Sequence, residues 1–199
     1  EATLRYIISM AFSNLYPEID IKFNYNVSRS IFCEILTKGI KITKITDEIL
    51  NEVSRIINLD LPIERLTLTV KEAIEIYKEL RHDDKLNILE YRPDKIVHLY
   101  KCDNYYDYMY CYMLPSTGFI KNYYIKPYSP GLIIQYPRYE LESSIPEFID
   151  EGTYAKTLMQ ARKWSESINT NTICEINDKI IKNQNDFIQL CEAKHYHML

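Results

Sequence analysis

Two hydrophobic periods alternate along the chain. Leu4, Ile7, Ile8, Ala11, Phe12 and Leu15 recur at helical spacing and Pro17 closes the run, which predicts an amphipathic helix covering a sheet. From Ile21 to Val27 the pattern alternates, Ser28-Arg29-Ser30 supplies a turn, and Ile31 to Leu36 is the partner strand of a hairpin. Helical spacing returns with Ile49, Leu50, Val53, Ile56 and Ile57 behind a Thr46 cap; after Pro62 the chain becomes extended, and Glu64 to Val70 reads as a strand. Thr69-Val70-Lys71-Glu72 spells a capping box for a helix to about Arg81. Asp83-Asp84 then start a shorter one through Leu86 and Leu89, their charge favoured by the helix dipole.

Ile96 to Cys102, the tyrosine-rich stretch from Tyr105, Asn122 to Tyr128 and Leu132 to Tyr136 are the remaining strand candidates, with Pro130-Gly131 the clearest turn. In a strand through the tyrosines, Tyr106, Tyr108, Tyr110 and Tyr112 share one face, and Tyr105, Asp107, Met109, Cys111 and Met113 the other. Such a phenolic wall suits a half-wet groove or a sheet covered by polar backbone, because a buried phenol needs a partner. Short connections make the strands antiparallel neighbours. The fold class is therefore α+β: an antiparallel sheet with helices on one face, over residues 1–137. Residues 138–152, acidic and broken by Pro137, Pro146 and Gly152, read as a linker or an arm laid over the body. Residues 153–199 form a small helical subdomain, with one helix through Tyr154, Leu158, Ala161, Trp164 and Ile168, a second capped by Thr172-Ile173-Cys174-Glu175, and a third marked by Phe187, Leu190 and Cys191.

Composition narrows the function classes. The 199 residues are 46% hydrophobic and 26% charged, enough for one large domain or a domain with an appendage. A net charge of −4 argues against a general phosphate-backbone binder, so nucleic acid is not an expected partner. No stretch reaches the roughly twenty apolar residues of a membrane span. Five cysteines at unrelated spacings read as free thiols in the cytoplasm. The chain starts at Glu1 inside a helical pattern and stops at Leu199 on another, and reads as a piece of something longer.

Candidate chemistry is sparse. A phosphate-binding Gly-Lys-Ser/Thr loop and a Gly-x-Ser-x-Gly elbow are both missing, and Ser116 has no local histidine partner. Cys102 and Cys111 are too far apart for a zinc knuckle; Cys191, His195 and His197 offer half a metal site where a closed one wants four ligands, and His98 stands alone in an apolar strand. No catalytic or metal residue is expected. The best binding candidate is a tyrosine-lined cleft comprising Tyr106, Asp107, Tyr108, Tyr110, Ser116, Thr117, Lys126 and Arg138. The competing reading makes Asp107, Lys126 and Arg138 a cross-strand ion pair and a solvated base of little energetic weight, and it is favoured because charged groups beside strands usually face solvent.

The residues also carry a resemblance. Leu15-Tyr16-Pro17, Ile31-Phe32-Cys33-Glu34-Ile35, Val70-Lys71-Glu72-Ala73-Ile74-Glu75-Ile76-Tyr77, Asp84-Lys85, Tyr105-Tyr106-Asp107-Tyr108, Tyr112-Met113-Leu114-Pro115-Ser116-Thr117-Gly118, Pro130-Gly131 and Glu192-Ala193-Lys194-His195 follow the order seen in bacterial uridine kinase-like nucleoside kinases. The chain resembles their N-terminal region, which is similar to the second N-terminal domain of threonyl-tRNA synthetase. The resemblance implies an accessory domain for docking, regulation or ligand binding. Its partner is then its own C-terminal P-loop kinase domain, and the whole protein uses ATP and magnesium to phosphorylate a nucleoside 5′-hydroxyl. No cofactor is implied within these residues.

The synthetase likeness implies an alternative, an aminoacyl-tRNA editing-type hydrolase or tRNA-binding module. That domain uses a His-x-x-x-His pair and a later Cys-x-x-x-His pair. The resemblance puts Ala2 and Tyr6 at the first pair and Met109 and Met113 at the second, while a slipped register uses Cys111. Methionine thioethers do not hold hydrolytic zinc. A third reading, a self-associating structural module, follows from the aromatic residues that interfaces favour.

Overall fold

The structure is a computed structural model and describes residues 1–37, 39–80, 85–86, 89, 92–150, 152–182 and 185–198. It is α+β with antiparallel sheets and helices. The chain forms two compact units, Glu1–Thr69 with Ile96–Glu151, and Val70–Lys95 with Gly152–Leu199. Residues 70–95 group with the C-terminal helices.

In the first unit α1 (Ala2–Leu15) is followed by β1 (Ile21–Val27), β2 (Ser30–Ile35), α2 (Ile42–Asn58) and β3 (Glu64–Thr69). After the excursion into the second unit come β4 (Ile96–Cys102), β5 (Tyr105–Asp107), a 3-10 turn at Thr117–Phe119, β6 (Tyr124–Tyr128) and β7 (Gly131–Gln135). Among the described residues the strands form a four-stranded sheet ordered β1-β2-β7-β6 and a three-stranded sheet ordered β3-β4-β5. Ser28 and Arg29 both take positive φ, 48° and 58°, the twist that a tight hairpin turn requires without glycine.

The four-stranded sheet is dressed on both faces. Ile31, Cys33 and Ile35 on β2, Leu132 and Ile134 on β7 and Ile125 on β6 join Leu4, Ile7, Ile8 and Ala11 of α1 and Ile49, Val53 and Ile56 of α2 in the main core. On the opposite face Val27, Phe32 and Ile133 form a smaller cluster with Tyr25, Tyr128 and Phe148. Phe148 belongs to the acidic segment after β7, which lies across that face. Gln135 Nε2 donates to the Pro146 carbonyl (2.7 Å), Ile149 N–H to Ser28 Oγ (2.8 Å) and the Tyr128 hydroxyl to Asp150 (2.9 Å). Double burial explains why β2 and β7 are buried at every position, with Ile31-Phe32-Cys33 and Leu132-Ile133-Ile134 apolar in a row where a one-faced strand would alternate.

Two expectations change. Thr46 lies inside α2, with its hydroxyl donating to the Ile42 carbonyl (2.7 Å), and the helix starts one turn earlier behind Lys41. A threonine can satisfy its hydroxyl one turn back as well as at a cap, so composition alone did not separate the two. The tyrosine stretch is a strand only over Tyr105–Asp107, because the Asp107 carboxylate takes the Tyr108 N–H (2.7 Å) and removes that donor from ladder pairing. The wall of alternating tyrosines therefore does not form.

The second unit contains α3 (Val70–Glu79), α4 (Gly152–Ser167), α5 (Ile173–Ile181) and α6 (Asn185–Met198). The Thr172 capping box forms in full, with Thr172 Oγ1 accepting from Glu175 N–H (3.2 Å) and Glu175 Oε2 from Thr172 N–H (2.8 Å). The helix start expected at Asp83-Asp84 lies outside the described residues. No described helix is long and apolar enough to cross a membrane.

The tight seam between β2 and β7 gives a first prediction. Gly131 pairs with Glu34, and a methyl group on Gly131 would overlap the Cys33 carbonyl oxygen. Gly131→Ala should therefore lower stability by about 1–3 kcal/mol, the usual cost of overpacking a fixed backbone. Urea unfolding measures it, and an unchanged midpoint would mean the strands separate freely there.

Candidate functional site

The start of α1 and the stretch 105–118 hold the positions at which the resemblance places metal ligands. Tyr6 is fully buried. Its hydroxyl donates to the Tyr100 carbonyl (3.1 Å) and the Tyr105 carbonyl (3.0 Å), and its ring meets Tyr105 edge-on with centroids 5.1 Å apart. Leu114 N–H donates to Thr3 Oγ1 (3.0 Å), and Met109 and Met113 pack half-buried against the core that contains Tyr6. Burial, followed by the nearby Asp107 charge, pushes the Tyr105 phenol well above its ordinary range, so it stays protonated and donates to Asp107 Oδ2 (3.2 Å). These residues do not fit a zinc ion. Alanine offers no donor, the Tyr6 phenol is committed to two carbonyls, and thioethers suit softer metals. Among the described residues no three His, Cys, Asp or Glu side chains are grouped so as to hold a metal.

The cleft residues expected from sequence separate into different places. Tyr106 ends the three-stranded sheet with Lys101 5.6 Å from its ring centre, and Asp107 is buried under Tyr105. Tyr108 is 37% and Tyr110 91% exposed, on the loop beyond β5. Ser116 and Thr117 form a knot with the end of α2. Thr117 Oγ1 donates to the Ile56 carbonyl (2.8 Å) and accepts from Leu61 N–H (2.9 Å), while Ser116 Oγ donates to Asp60. Asp60 also accepts from Gly118 N–H (3.0 Å) and sits at φ 48°. Lys126 pairs across from Ile133, so it stands on the sheet face away from α1 and α2. Arg138 closes a polar chain, donating to Glu140 (2.8 Å) and to the Tyr136 hydroxyl (2.6 Å), which donates to Glu1 Oε2 (2.6 Å). Burial and the Glu1 carboxylate raise the Tyr136 phenol to about 12.

A cavity of about 220 Å³ opens beside that chain, against Glu1, Leu4, Tyr136 and Pro137 on one side and residues 119–122 on the other. None of the eight residues expected from sequence lines it. Phe119-Ile120-Lys121-Asn122 carries no motif, and only the return of the chain from Thr117 past the start of α1 makes it a wall.

Against this geometry, comparison with protein-family models finds no match. The chain is similar to threonine–tRNA ligases. It is 27% identical over 116 residues to that of Lawsonia intracellularis, 26% over 117 residues to that of Listeria welshimeri, and 26% over 118 residues to that of Clostridium botulinum strain Okra. Each alignment covers 58–59% of this chain and 18–19% of the ligase, so the chain spans less than a fifth of the length of these relatives.

The knot at Thr117 separates a structural role from a binding one. Thr117→Val removes one buried donor and one buried acceptor and should cost about 1–3 kcal/mol in chemical denaturation, whereas half-buried Ser116→Ala should cost less. A Thr117→Val chain as stable as its parent would free this residue for a ligand-facing role.

Proposed function

We propose that the chain is a non-hydrolytic module of the threonine–tRNA ligase type, which holds the aminoacylated end of a tRNA for a larger protein without cleaving the ester. The similarity to the ligases supports the tRNA partner. The observation that carries the loss of chemistry is the packing of Tyr6, Met109 and Met113 where the resemblance places histidine and cysteine. An acidic balance of −4 fits contact with a few stacked end nucleotides better than a track along a duplex.

A second reading is favoured by the ordered sequence motifs quoted above, from Leu15-Tyr16-Pro17 to Glu192-Ala193-Lys194-His195. It makes the module an accessory domain of a uridine kinase-like nucleoside kinase, with ATP and magnesium used by another part of the protein. ATP-dependent phosphorylation of uridine by the full-length protein favours this reading over the first.

The deciding assay for the first reading uses aminoacylated and uncharged threonine tRNA. Filter binding should show preference for the charged form, its deacylation rate should stay at the uncatalysed level, and the purified chain should carry no stoichiometric zinc. Acceleration abolished by a chelator would identify an editing hydrolase, and absence of binding would remove the tRNA reading.

A further inference from the structure

The cavity beside Glu1 has a chemistry of its own. Its floor is apolar, made by Leu4, Ile120 and Pro137, and the Phe119 ring at its edge is 58% exposed and open to stacking. The charges around it are unequally satisfied. Glu1 Oε1 accepts from Arg5 (2.7 Å) and Oε2 from the Tyr136 hydroxyl (2.6 Å). Burial pushes the Glu1 carboxyl up, but Tyr136 and Arg5 outweigh it and hold the group below its usual value, so it is ionised and already engaged. Arg138 is paired with Glu140. The side chains of Glu1 with Arg5 and of Arg138 with Glu140 cancel, which leaves Lys121 as the side-chain cation of the described lining without a partner. Among the described residues neither the Lys121 ammonium nor the Asn122 amide has a partner, and both are exposed at the rim.

We propose that this cavity binds a small organic anion with an apolar body, the body on Leu4, Ile120 and Pro137 against Phe119, and the charged oxygens on Lys121 and Asn122. A cation would compete with Arg5 for Glu1, while an anion meets a cation without a competitor. At about 220 Å³ the space lies below the roughly 300 Å³ at which drug-sized ligands start to fit, so the ligand is a single ring or short chain. The proposal does not depend on the ligase-type reading, since the resemblance assigns no role to any of these residues.

Calorimetric titration with 3-phenylpropanoate and with phenyl phosphate tests it, the two anions separating carboxylate from phosphate recognition, with neutral 3-phenylpropan-1-ol as control. At least one anion should saturate the chain, with the alcohol about tenfold weaker or worse, a gap of about 1.4 kcal/mol. Lys121→Ala combined with Asn122→Ala should weaken the anion by a similar factor, and both side chains are exposed, so an unchanged unfolding midpoint will verify the variant's fold. Failure of both anions to bind, equal binding of the alcohol, or full affinity in a folded double variant would each overturn the site. These titrations contain no tRNA, so they succeed or fail separately from the deacylation assay.

Discussion

A single phenolic hydroxyl fixes how the first unit is assembled. Tyr6 lies on the face of α1 turned toward the three-stranded sheet, and its hydroxyl is shared between the Tyr100 carbonyl of β4 and the Tyr105 carbonyl of β5. Neither the phenol nor the carbonyls can be left unsatisfied without a cost of about 1–3 kcal/mol. This contact therefore sets where the start of α1 meets β4 and β5. Other features follow from it. Thr3 comes within reach of Leu114 N–H, Met109 and Met113 are drawn into the core, and the chain then returns past Glu1 to build the cavity wall at 119–122.

The chain is similar to part of the threonine–tRNA ligases, and the resemblance places metal ligands where Ala2, Tyr6, Met109 and Met113 stand. A metal site needs donors aimed at an empty point, and holding such a point open costs packing. At the positions where the resemblance places ligands, Tyr6, Met109 and Met113 pack into the core and the Tyr6 hydroxyl is satisfied internally. Lys121 and Asn122, unpartnered among the described residues, stand exposed at the rim of the cavity beside Glu1.

The sequence made the regular elements legible where period and punctuation agreed. Leu4, Ile7, Ile8 and Ala11 mark α1, Pro130-Gly131 marks the β6–β7 turn, and Thr172 with Glu175 forms the capping box that the spelling requires. It misled where one residue type has two local solutions. Thr46 bonds one turn back instead of capping, and Asp107 bonds Tyr108 N–H, so a run that alternates like a strand leaves the sheet after three residues. The same turn at Asp107 separates the later tyrosines of the expected cleft from the sheet. Tyr108 and Tyr110 leave the sheet on a loop, while a cavity of the first unit joins residues near 1, 120 and 136 through tertiary closure that no local pattern encodes.

The most direct test of this account is equilibrium unfolding of Tyr6→Phe, which keeps the ring and removes only the hydroxyl. If that hydroxyl is the node joining α1 to β4 and β5, the variant loses about 1–3 kcal/mol with its secondary structure intact. A Tyr6→Phe chain as stable as its parent would show that the two carbonyls are satisfied otherwise, and would contradict the account.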